Sequence, residues 1–175
     1  FNQDISGWDV GKVTFMSSMF SNFAEKIGSH SYYFPESSFN MPLNDWDVSA
    51  VTTMSSMFRG ASSFNQDISG WNTSNVTNMA NMFNGAKSFN QPINTRFDVS
   101  DNYQHYGGDT YTAWDVGKVR TFRFVLAGAT LFNQPLDKWD VSNCSSMEYT
   151  FLGCSSFNQD ISGWNTSGLG SRRNS

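Results

Sequence analysis

Apolar residues recur along this chain in fixed columns. Aligned on the pair Phe-Asn, the sequence falls into six units that begin at Phe1, Phe39, Phe64, Phe89, Phe132 and Phe157. Three of the spacings are 25 residues; the other two, 38 and 43, are the same unit carrying an insertion. Counting each Phe as position 1, position 5 is Ile5, Leu43, Ile68, Ile93, Leu136 and Ile161. Position 8 holds every tryptophan: Trp8, Trp46, Trp71, Trp114, Trp139 and Trp164. Position 13 is Val13, Val51, Val76, Val119 and Cys144, and positions 16 and 19 hold seven of the eight methionines. Position 20 is Phe20, Phe58, Phe83, Leu126 and Phe151. The octapeptide FNQDISGW stands unchanged at 1–8, 64–71 and 157–164.

These columns predict elements. In WDV, positions 8 and 10 are apolar around an Asp or Asn, the alternation of a short strand with one face buried. In MSSMFRGA, Met54, Met57, Phe58 and Ala61 fall at i, i+3, i+4 and i+7, the buried stripe of about two helical turns. Gly60, Gly85, Gly128 and Gly153 at position 22 suit a left-handed residue closing that helix. The fold class this predicts is a repeat solenoid, leucine-rich-repeat-like, with a short parallel β-strand plus a short helix per coil of about 25 residues. It has six units and two insertions. No unit buries its apolar side alone, and stacking makes one continuous core. The solenoid domain spans 1–167, with a C-terminal tail at 168–175 and a right-handed crossover. Position 2 is Asn in all six units, and an inward Asn ladder would satisfy backbone groups between coils. Position 4, Asp or Pro, marks a turn.

The string FNQDISGWNTSNVTNMANMFNGA resembles the repeat of BspA-like leucine-rich-repeat surface proteins. The likeness runs from Phe1 to about residue 167, outside the insertions, and rests on FNQ, WDVS, VTNM and MF at fixed spacing. It implies a leucine-rich-repeat-like solenoid exposed on a surface or in the extracellular space, and for some members adhesion. It supplies no catalytic residues. The fourth unit departs from the pattern with VRTFRFVL, and the sixth breaks off into SGLGSRRNS.

Composition narrows the function classes. A net charge of −4 argues against nucleic acid, which needs clustered Lys and Arg. Charged residues are only 15% of the chain, more in keeping with an extracellular repeat protein than a highly charged cytosolic one. No apolar run approaches the roughly 18–20 residues of a membrane helix. Signatures of phosphate loops, zinc proteases and hydrolase elbows are missing, so the chain reads as a non-enzyme without cofactor or metal.

Candidate chemistry sits at the irregularities. The insertions, 21–38 and 96–113, hold five of the six tyrosines: Tyr32, Tyr33, Tyr103, Tyr106 and Tyr111, with His105 beside them. Tyrosine offers wide contact with a polar tip at low entropic cost, which suits recognition of a protein or glycan. Three units separate the insertions, roughly 15 Å at about 4.8 Å per rung. Decoration of the flank is the plainer reading. The Asp/Asn column at position 9 caps turns or, alternatively, holds calcium. The Trp column reads as core rather than as a carbohydrate platform. Cys144 and Cys154 either form a disulfide or are two small buried residues. Asn72, Asn75, Asn143 and Asn165 head glycosylation sequons. An apolar rung left open at Phe1 gives the alternative function: copies stacked head-to-tail into a filament or surface layer.

Overall fold

The computed structural model describes residues 1–22, 25–27, 31–33, 37–100 and 110–169. Among them the repeats do stack, but not as strand-plus-helix coils. No described residue is helical, and the strands lie only in the insertions. Strand β1 (Glu25–Ile27) pairs antiparallel with β2 (Ser31–Tyr33), and β3 (Arg96–Ser100) pairs antiparallel with β4 (Thr110–Ala113). The expected leucine-rich-repeat solenoid is therefore corrected to a stack of turn-built coils bearing two hairpins.

The helix fails at position 18. Ser18, Ser56, Asn81, Phe124 and Tyr149 all have φ between 56° and 60°, in the middle of the apolar stripe. A left-handed residue every fourth place, here at positions 18 and 22, cannot sit in an α-helix. The Met-x-x-Met-Phe spacing instead serves consecutive turns. Met57, Arg59 and Ala61 donate their N–H groups three residues back, to Met54, Ser56 and Phe58. The intervening N–H groups reach the next coil. Met54, Ser56, Phe58 and Gly60 donate to the carbonyls of Asn78, Ala80, Met82 and Asn84 at 2.7–3.0 Å. Positions 16, 18, 20 and 22 repeat this at all four interfaces from the first coil to the fifth. With Ser55 N–H donating to Thr53 Oγ1 at 3.4 Å, the backbone donors of residues 54–61 are satisfied without a helix.

The expected strand at WDV fails for a related reason. Position 9 bends back on itself: Asp47 Oδ1 accepts from Ser49 N–H at 2.9 Å, and Asp115 and Asp140 do the same with Gly117 and Ser142. Such Asx turns bend the chain so that positions 8 and 10 both enter the core. True strand-like contact shrinks to one residue per coil. Phe15, Thr53, Asn78, Thr121 and Ser146, all at position 15, form successive parallel bridges. There the hydrogen bonds change direction, because position 14 donates backward: Thr52 N–H to Thr14 and Thr77 N–H to Thr52, at 2.8 and 2.9 Å.

Stacked side chains form the core. The position 1 rings follow one another at 5.9–6.1 Å between centroids, within 14° of parallel. Trp46, Trp71 and Trp114 are fully buried, which bears out the reading of the column as core. Each indole N–H donates to the position 5 carbonyl of the coil before, as Trp71 does to Leu43 and Trp114 to Ile68, at 3.0 and 2.8 Å. That bond explains why the column takes Trp and no other aromatic residue. The Asn ladder also exists, but on the flank rather than inward. Asn65 Oδ1 accepts from Asn90 N–H and Asn90 Oδ1 from Asn133 N–H, both at 2.9 Å, and these side chains are exposed or half-exposed. The following Gln braces it: Gln91 Nε2 donates to the Asn65 carbonyl at 3.0 Å. Glycine at position 22 is demanded by the backbone: Gly85 has φ +76°, and a Cβ there would lie 3.5 Å from Gly60 Cα.

Candidate functional site

Three places depart from the repeating stack: the two hairpins and the exposed arm of the fifth coil. The second hairpin occupies the whole insertion 96–113, with Arg96 opposite Ala113, Val99 opposite Tyr111, and a register shift between these pairs. It leaves the stack undisturbed. Thr95 enters with its Oγ1 donating to the Trp114 carbonyl at 2.8 Å. Trp114 resumes the repeat, its backbone N–H donating to the Trp71 carbonyl at 3.0 Å. Tyr111 pins the hairpin down: its hydroxyl donates to the Gly70 carbonyl in the preceding coil. Half-buried and bonded, Tyr111, one of the tyrosines expected to offer contact, anchors the hairpin through its hydroxyl. Phe97, on β3, is exposed. Tyr103, His105 and Tyr106 lie outside the described residues.

The first hairpin sets Glu25 opposite Tyr33 and Lys26 opposite Tyr32. At its root a cleft of ≈ 290 Å³ opens between Phe1, Met19, Phe20 and Phe39, rimmed by Ser21, Asn22, Ser37 and Ser38. Its aromatic floor and hydroxyl rim are the ordinary make-up of a small ligand site. Ser21 Oγ, on the rim, is buried without a hydrogen-bond partner among the described residues. This cleft was not legible in the sequence, because Phe1 and Phe39, Met19 and Phe20 belong to three different repeat columns.

The remaining candidates are structural in their described contacts. Asp4, Asp140 and Asp160 are each held below the usual carboxylate range by hydrogen bonds from Ser6, Ser142 and Ser162 respectively, two residues on. Of these only Asp140 stands at position 9; there Asp9, Asp47, Asn72, Asp115, Asp140 and Asn165 each accept from the N–H two residues on, so that column is engaged in turn capping. Cys144 and Cys154 are free, each S–H donating to a carbonyl, of Ser146 and Leu126, and burial pushes both thiols up. Cys144 is buried and Cys154 half-buried, and a raised thiol is a poor nucleophile. Of the sequon residues, Asn75 and Asn143 donate Nδ2 to the Ser49 and Gly117 carbonyls of the coil before, at 2.9 and 2.8 Å. Asn72 and Asn165 instead accept from Ser74 and Ser167 N–H, both at 3.1 Å.

The fifth coil carries the feature that the sequence concealed. Position 18, Ser or Asn in the first three units, becomes Phe124 and Tyr149, still at φ 56° and 58°. Their rings stack at 4.7 Å, Arg123 lies 5.1 Å over Phe124, and Arg123 bonds Glu148 at 3.1 Å. Tyr149 and Leu152 are more than half exposed.

A rigid stack of coils with grafted hairpins defines a repeat protein whose irregular positions, not its core, are available to partners. Within that class the chain belongs to the family described as Mycoplasma protein of unknown function, DUF285, which matches residues 1–32, 24–107 and 100–173. Neither a curated protein nor a solved structure matches it. Among the described residues no helix is long and apolar enough to cross a membrane.

Proposed function

We propose that the protein is an extracellular or cell-surface repeat protein that binds a protein or glycan ligand through its Tyr-rich insertions. One observation carries this reading. The hairpin 96–113 is an appendage: the hydrogen-bond ladders of the stack run from the third coil into the fourth without it. Arg96 and Phe97 are exposed, Tyr111 and Thr112 half-buried, and Ala113 buried. Ordering the two strands of this hairpin costs conformational entropy that the core does not recover, which favours a role in recognition. Tyr111 supplies rigidity and Tyr103, His105 and Tyr106 the contact, with Tyr32, Tyr33 and the cleft at Phe20 and Phe39 as the second contact area. The surface location rests on the likeness of the repeat to BspA-like surface proteins.

The test is to delete 96–113, joining Thr95 to Trp114. The spacing of units four and five then becomes 43 − 18 = 25 residues, that of the uninterrupted repeat. Binding is read on an array of immobilised oligosaccharides and extracellular-matrix proteins. Loss of a wild-type signal in the deletion and in Tyr103→Ser/Tyr106→Ser, with an unchanged thermal melt, supports the reading. Full binding by the deletion variant refutes it.

A further inference from the structure

We infer that the outer edge of the fourth coil, at Lys118, Arg120 and Arg123, is a binding strip for a sulfated glycan. The strip does not depend on the hairpins.

Elsewhere in the repeat, the side chains at positions 12, 14 and 17 serve the stack itself. At position 12, Asn75 and Asn143 donate Nδ2 to the Ser49 and Gly117 carbonyls of the coil before, at 2.9 and 2.8 Å. At position 14, Thr52, Thr77 and Ser145 donate their hydroxyls to the Thr14, Thr52 and Arg120 carbonyls, at 3.1, 3.2 and 3.0 Å. At position 17, the Ser17 hydroxyl shares a hydrogen bond with that of Thr53 at 3.2 Å. The fourth unit gives these bonds up. It sets Lys118, Arg120 and Arg123 in the three places, all exposed. The third and fifth coils flank them, so this is the exposure of an interior coil. The core does not ask for the exchange, because Val116, Val119 and Phe122 stay buried in their columns between the cations. The departure VRTFRFVL is thus a change of outer surface at the expense of rung bonds.

The new groups suit an oxyanion. Three cations within residues 118–123 concentrate positive charge on one edge of a chain whose net charge is −4. The Arg120 guanidinium has no hydrogen bond or ion pair among the described residues, so its planar fork is open to a tetrahedral anion. Its backbone is fixed: Arg120 N–H donates to the Thr77 carbonyl and the Arg120 carbonyl accepts from Ser145 N–H, both at 2.9 Å. Lys118 Nζ donates to the neutral Asn75 Oδ1 at 3.0 Å, which steadies the ammonium without neutralising it. Arg123 is paired with Glu148 at 3.1 Å, an exposed pair that a polyanion can displace. Asp115 and Asp140 border the strip beside Gly117, where they accept from Gly117 and Ser142 N–H. The ligand therefore lies along Lys118, Arg120 and Arg123, away from position 9. Asn75 and Thr77 on one side, and Asn143 and Ser145 on the other, supply amides and hydroxyls of the kind that meet sugar hydroxyls. A single-stranded nucleic acid also wants rings to stack on, and here Phe122 is buried and Phe124 is already stacked on Tyr149.

Biolayer interferometry of the whole 175-residue chain on immobilised dextran sulfate, with plain dextran as the blank, tests this. Lys118→Asn/Arg120→Thr gives the fourth coil the residues that the third carries at these positions, Asn75 and Thr77, so the stack accepts them. Lys12→Asn/Lys87→Ser removes the same charge elsewhere and is the control. Circular dichroism checks each fold, and Lys118→Gln/Arg120→Gln replaces the first variant if it fails that check. Wild type should bind dextran sulfate and not plain dextran, and should bind more weakly as salt rises to about 0.15 M. The strip variant should bind at least about tenfold more weakly, and the control within about threefold of wild type. No binding by wild type, a strip variant that binds as wild type, or an equal loss in the control overturns the proposal. So does tighter binding to a single-stranded oligonucleotide or to phosphatidylserine vesicles than to dextran sulfate.

Discussion

Replacing Trp71 with Phe tests what holds one coil to the next. Trp71 is fully buried, stacks on Trp114 with centroids 6.5 Å apart, and donates its indole N–H to the Leu43 carbonyl at 3.0 Å. Phenylalanine keeps an aromatic face in the column and removes the donor. The Leu43 carbonyl still accepts from Trp46 N–H at 3.2 Å, so it is not orphaned. The lost bond is then worth its net value, about 0.5–1.5 kcal/mol, rather than a full desolvation penalty. The smaller ring leaves a void in a close-packed core, adding about 1–2.5 kcal/mol, between a methylene deletion and a full truncation. The sum is about 1.5–4 kcal/mol. Trp8→Phe is the control: Trp8 is half exposed and its indole N–H has no acceptor among the described residues, so its cost should stay below about 0.5 kcal/mol. Urea unfolding followed by far-ultraviolet circular dichroism reads both values. Equal effects at positions 71 and 8, or a loss under about 0.5 kcal/mol at 71, would refute the reasoning.

Further outcomes follow from the same contacts. Gly85→Ala should cost about 1–2 kcal/mol in the same assay, because its φ of +76° lies where a Cβ is unfavourable. Asn65→Ala should cost about 1 kcal/mol, since Oδ1 accepts from both Asn90 N–H and Gln91 Nε2. Tyr111→Phe should leave global stability nearly unchanged but speed proteolysis within 96–113, as the hairpin loses its bond to Gly70. Stability should hold between about pH 8 and about pH 5 and fall below about pH 4. The sign follows from Asp4, Asp140 and Asp160, whose folded values are lowered by serine hydrogen bonds. Their contribution is present above the unfolded carboxylate value and is lost as pH falls through the folded one. A melt series that is most stable at acid pH would contradict this.

The repeat, its register and its buried columns were legible because Phe, Trp and Met are used for one purpose here, and each copy repeats the purpose. The strands of the second hairpin lie within the stretch 96–113 that the repeat leaves over, with Arg96 opposite Ala113. The secondary structure was not legible. Met54, Met57 and Phe58 show helical spacing, yet Ser56 between them is left-handed. A serine does not announce that conformation as a glycine does. Likewise Trp46 and Val48 alternate like a strand because Asp47 caps a turn between them. Strand and helix were assigned from side-chain period alone, whereas the backbone bonds run between coils, between residues 24 or more apart in sequence. The hairpins were missed as strands because their composition resembles surface loop. Of the site residues, Tyr111 was singled out for contact, but its hydroxyl is spent on Gly70.

Amide hydrogen exchange by nuclear magnetic resonance, on dilute protein, tests the coil-to-coil pairing most directly. Asn81 and Tyr149 hold the same place in the repeat and the same left-handed backbone, but Asn81 N–H reaches the Arg123 carbonyl at 2.8 Å while Tyr149 N–H meets no acceptor among the described residues. The account expects Asn81, Phe83 and Gly85 to be strongly protected and Tyr149, Phe151 and Gly153 to exchange rapidly, while Leu152, bonded within its own turn, is slower than its neighbours. Equal protection of Asn81 and Tyr149, or an unbroken run of protection through 147–153 as in a helix, would contradict it.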